Sequence, residues 1–145
     1  MQFCTEIVIH KPVAKVIELF DSQDHLYKWQ PFLKGLKVLA GTPGQPGART
    51  KLIYDYNGKD IEMVETVIRK DLPAEFSATY DTKEVNNWVS NAFTPLEKGS
   101  TRWTMDSEFK FSGLMALMAV FMKRSMRRQT MKDMQAFKNF VEAEG

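Results

Sequence analysis

Two glutamates, Glu62 and Glu65, lie three positions apart in the alternating run IEMVETVIRK and are the side chains of this sequence best suited to moving a proton. Successive residues of an extended strand point to opposite faces, so only one of the pair faces the interior of a sheet. Glu65 in that role would have Met63 and Val67 beside it. Apolar surroundings raise a carboxyl pKa and make it usable as a general acid or base. The competing assignment is an ion pair of Glu65 with Arg69, Arg49 or Lys51. Asn87, Asn91 and Ser107 are further polar candidates, which strand alternation alone divides evenly between interior and solvent.

Other reactive types are sparse. His10 and His25 are far apart and have no cysteine or paired carboxylate at metal-ligand spacing, so no metal site is expected. The lone Cys4 excludes an intramolecular disulfide and reads as a small half-buried apolar residue. The glycines between Gly41 and Gly47 alternate with prolines and open no helix, so they cradle no phosphate. No cofactor motif is present.

Aromatic and methionine side chains carry the binding signal. Tyr54 and Tyr56 share one strand face, as do Trp103, Met105, Phe109 and Phe111, and Tyr80 and Phe93 stand on neighbouring runs. Buried tyrosine and tryptophan need a polar partner, which a ligand can supply. Trp29, beside Pro31, completes the set. In the C-terminal segment, Met115, Ala119, Met122, Met126, Thr130, Met134, Phe137 and Val141 fall in one helical stripe about 100° wide. Its first half is methionine and alanine, an adaptable wall.

These residues need a frame. The 145 residues suit a single domain, 1–145, and 43% hydrophobic with 26% charged residues predicts a soluble globular protein. A net charge of +2 is too small to mark a nucleic-acid binder. The apolar run from Gly113 to Met122 is half the length of a spanning helix, and no leader opens the chain, so a cytoplasmic location is expected.

FCTEIVIH alternates as a first strand. Pro12 reads as the first residue of a short helix carrying Val13, Val16, Ile17 and Phe20, and Asp21-Ser22 as the cap of a second helical piece ending before Pro31. Six extended runs follow, separated by turns such as Asn57-Gly58, a strong hairpin signal. The segment from Gly113 to about Ala143 has no proline or internal glycine and closes the chain as one long helix. The order predicts an α+β protein, a curved seven-stranded antiparallel sheet around a long C-terminal helix, with two short helices between strands 1 and 2.

That order, with Lys11-Pro12-Val13-Ala14-Lys15-Val16, Tyr27-Lys28-Trp29-Gln30-Pro31, the Gly41–Gly47 loop, MVETVI before Leu72-Pro73, and Gly99-Ser100-Thr101-Arg102-Trp103, resembles the START-like (SRPBCC) superfamily. This is the helix-grip or Bet v 1-like fold, and the polyketide cyclase/dehydrase-like group resembles the chain over its whole length. The resemblance implies a cavity between sheet and helix that binds a lipid-, sterol- or polyketide-like molecule, as carrier or sensor. It supplies no catalytic residue. The alternatives are a polyketide cyclase or aromatase acting in the same cavity, or a protein-interaction module. The cavity candidates are Trp29, Tyr54, Tyr56, Met63, Glu65, Tyr80, Asn91, Phe93, Trp103, Met105, Met115, Met122 and Met126. Leu114, Leu117 and Phe121 lie on nearly the opposite side of the helix from the gripped stripe, where a second copy, other parts of the chain or a membrane surface could cover them.

Overall fold

A computed structural model describes residues 1–144 and runs β1 (Gln2–Ile9), α1 (Val13–Phe20), a 3-10 turn (Gln23–His25), α2 (Leu26–Trp29), β2 (Leu33–Ala40), β3 (Arg49–Tyr56), β4 (Lys59–Asp71), β5 (Glu75–Asp81), β6 (Val85–Leu96), β7 (Ser100–Phe111) and α3 (Leu114–Ala143). The strands form one antiparallel sheet in the order β1-β7-β6-β5-β4-β3-β2. From β2 to β7 this is a meander of neighbours. β1 returns to pair with β7, so α1 and α2 cross from one edge of the sheet to the other. This is the helix-grip fold expected from the element order.

Local chemistry explains the turns. Asn57 and Gly58 take φ of 54° and 82°, the paired left-handed conformation of a two-residue hairpin turn that joins β3 to β4. Two boundaries differ from the sequence reading. Pro12 stands just outside α1 with an extended ψ of 150°, because its backbone is still leaving β1. Ser22 makes no side-chain cap, and the Asp21 carboxylate instead meets Lys70 Nζ at 2.8 Å.

The core sits at one end. Ile9 of β1, Val16 and Leu19 of α1, Phe93, Trp103 and, from α3, Met134, Phe137 and Val141 pack as one buried cluster. Phe20 links it to a smaller cluster of Ala48, Val67, Phe76 and Ala78. Its ring lies 4.9 Å from Phe93 and 5.6 Å from Phe76, in edge-on contacts.

Candidate functional site

Strand register sets the concave face. Thr50 pairs with Glu65, Glu65 with Tyr80, Tyr80 with Asn87, and Asn87 with Phe109. Directly opposed residues share a face, so these side chains make one row across β3, β4, β5, β6 and β7. Leu52 and Met63 pair in the adjacent row, and Asn91 with Met105 on the other side. The row is polar in its middle and apolar around it.

Glu65 faces inward and enters no ion pair among the described residues. Its expected cationic partners are elsewhere: Lys51 Nζ is 3.9 Å from Glu62 on the opposite face, and Arg69 is 3.7 Å from Glu75. Burial pushes the Glu65 carboxyl above its ordinary value, and the Tyr80 hydroxyl beside it partly opposes that rise. Burial, and then the charge of Glu65, push Tyr80 well up. Tyr54 is raised for the same first reason and donates a 2.7 Å hydrogen bond to Gln30 Oε1. At neutral pH the tyrosines are therefore neutral hydroxyl donors. The Asn87 side-chain oxygen is buried with no hydrogen-bond partner, a free acceptor beside Tyr80 in the row. Together these groups can hold a hydroxyl, carbonyl or carboxyl function, or exchange a proton with it.

Met63, Glu65, Tyr80 and Met105 lie in the middle of the sheet, yet all remain only half-buried. In the first half of α3, Met115, Ala119, Met122 and Met126 are half-buried, and no residue before Met134 is buried. Asp133 also bears on the site: desolvation raises its carboxyl although its side chain keeps an exposed edge, and its charge is felt at Tyr54 and Tyr56. The sequence reading missed Asp133, although helical spacing puts it in the same stripe as Met115 and Met126. Gln30 had no local signal, because its contact with Tyr54 joins α2's end to β3.

The thirteen candidates separate into groups. Tyr54, Met63, Glu65 and Tyr80 stand half-buried on β3, β4 and β5, and Met115, Met122 and Met126 half-buried on the first half of α3, while Met105 packs against the core cluster. Asn91, Phe93 and Trp103 lie instead in the closed core. Trp103 donates its indole N–H to Asn91 Oδ1 at 2.9 Å, and the Asn91 amide donates to the Phe76 carbonyl at 3.2 Å. Their polar groups satisfy one another, so nothing is left for a ligand. Phe93 stacks on Trp103 at 5.8 Å. Trp29 packs edge-on against Phe137 at 5.1 Å, held by the core. Tyr56, the last residue of β3, is 44% exposed and stacks on Phe32.

The remaining reactive residues are peripheral. Cys4 is exposed, contrary to the expected half-burial, since it alternates onto the outer face of β1. A hydrogen bond to Asp106 pushes its thiol up, away from nucleophilic thiolate. Among the described residues no group of three or more His, Cys, Asp and Glu could hold a metal ion. Two hollows of about 400 and 310 Å³ lie elsewhere, one beside Cys4, Trp88 and Asp106, the other beside Arg124, Arg127, Arg128 and Met131. Among the described residues no helix is long and apolar enough to cross a membrane.

A seven-stranded antiparallel sheet gripping one long C-terminal helix defines the START/Bet v 1 class. The chain belongs to the family described as polyketide cyclase / dehydrase and lipid transport, whose model matches residues 2–139. No curated protein matches by sequence. Among solved structures, the chain is similar to the Zhui aromatase/cyclase from Streptomyces sp. R1128, with TM-score 0.81 and 13% identity over 98% of this chain and 93% of that one. It is similar to a START superfamily protein from Mycobacterium smegmatis, with TM-score 0.77 and 15% identity over 97% of each chain. Ara h 8.0201 gives TM-score 0.80 and 16% identity, again over 97% of each. At these identities the likeness is one of fold.

Proposed function

We propose that this protein binds an amphipathic small molecule in the trough between the concave sheet and the first half of α3, as a carrier or sensor. The observation that carries this is the row Glu65, Tyr80 and Asn87, set mid-sheet among Leu52, Met63 and Met105 and left without ion-pair partners or full burial. A ligand's polar function meets the row, and its apolar body lies against the methionines of β4, β7 and α3, whose flexible thioethers adapt to its shape. Family membership supports the same reading. Titration with the fluorescent amphiphile 1-anilinonaphthalene-8-sulfonate tests it. The wild type is expected to bind, and Met63→Trp, which fills the trough, to lose most of that binding while keeping its far-ultraviolet circular dichroism. Undiminished binding by the folded variant overturns the location.

A second reading has its own support. The adjacent Glu65 carboxyl and Tyr80 hydroxyl, with a raised carboxyl, form a proton-transfer pair of the kind a cyclisation or dehydration requires. In that case Glu65→Gln and Tyr80→Phe each abolish turnover of a poly-β-carbonyl substrate while leaving amphiphile binding in place. Turnover unchanged in both variants eliminates this pair as the catalyst.

A further inference from the structure

The trough does not use the outward face of α3. There Leu114, Leu117, Val120 and Phe121 are 79%, 74%, 83% and 82% exposed, and Met118 joins them. Four such side chains within two helical turns make a contiguous apolar surface that water alone does not explain. Helical steps of three and four carry the same face from Leu117 and Phe121 to Arg124, Arg128 and Lys132. Lys123 and Arg127 flank it, and no acidic residue occurs between Leu114 and Lys132. None of these cations is in an ion pair among the described residues; Arg127 donates to the Cys4 carbonyl at 3.2 Å. Arg124, Arg127, Arg128 and Met131 line the hollow of about 310 Å³, whose charge suits a phosphodiester.

We infer that this face docks the protein peripherally on an anionic lipid surface. Leu114, Leu117, Val120 and Phe121 enter the boundary between headgroups and acyl chains, and Arg124, Arg128 and Lys132 meet lipid phosphates. Charge decides for this occupant over a second copy. In a parallel pairing of two α3 helices, the basic stripes face one another. In an antiparallel pairing, each stripe meets the partner's helix N-terminus, the positive end of its dipole. Docking here also lays the trough's helical wall on the membrane. The inference does not depend on which molecule the trough holds.

Sedimentation with phosphatidylcholine vesicles, and with phosphatidylcholine vesicles containing phosphatidylglycerol, tests it on the full chain. Binding is expected to the mixed vesicles only and to weaken as salt rises. Arg124→Gln with Arg128→Gln is expected to weaken partitioning about thirtyfold, roughly fivefold for each cation. Leu117→Ser with Phe121→Ser is expected to remove most of it. These side chains are exposed, so the variants keep the wild-type circular dichroism. Three results overturn the proposal: no binding to the mixed vesicles, equal binding to both vesicle types, or a stable dimer by light scattering that Leu117→Asp converts to monomer.

Discussion

The two halves of α3 meet the same sheet and behave differently. In the C-terminal half Met134, Phe137 and Val141 are completely buried, locked by rings from α1, α2, β6 and β7. In the N-terminal half Met115, Ala119, Met122 and Met126 are all only half-buried. One end is therefore close-packed and the other is not. Close packing needs side chains of fixed shape, whereas an adaptable site needs flexible ones and polar groups with capacity to spare.

The largest effect that sharpens this contrast is Phe137→Ala. It empties the centre of the closed end and is expected to destabilise by about 3–5 kcal/mol, while Met122→Ala at the open end costs under about 1 kcal/mol. Urea unfolding of both variants measures it, and equal losses would erase the distinction between the two ends. Next, Asn91→Ala leaves the Trp103 indole N–H and the Phe76 carbonyl without their partner, for about 1–3 kcal/mol. Amphiphile binding is expected to be unchanged in that variant, and a selective loss of binding at constant stability would move Asn91 back to the trough.

The smallest effect on stability is Glu65→Gln, and its sign depends on pH. Burial raises the folded-state value above the ordinary 4.5, so the folded protein holds this proton more tightly than the unfolded chain does. Ionisation therefore destabilises, beginning as pH climbs past 4.5 and complete once pH exceeds the folded value. Relative to wild type, the variant is expected to gain melting temperature through that window and level off above it. A difference independent of pH would show that Glu65 is solvated and that the trough lacks its polar centre.

How far the sequence could be read follows from the range of each interaction. Alternation and turn chemistry are local, so the strands, the Asn57-Gly58 hairpin and the extent of α3 were legible from spacing. The inward choice of Glu65 over Glu62 followed once β4's apolar face was known. Asn91 and Trp103 carry no local sign of each other in the sequence. The hydrogen bond between them spans β6 and β7, and it turns two candidate ligand contacts into a closed core pair. Tyr56 shares Tyr54's face yet is 44% exposed, since a shared face does not ensure cover at the strand's end.

The sequence by itself determined the order of elements, the stripe on α3 and the basic outward face that continues from Phe121, because periodicity is written residue by residue. Only the tertiary structure decided where α3 closes on the sheet and where it stands away. That depends on Phe20 and Trp29, brought by α1 and α2 against Phe93, Trp103 and Phe137. Bulky rings converge there from five separate elements, and their volumes are satisfied at one end of the helix only, while the methionines of the other end stay half-buried.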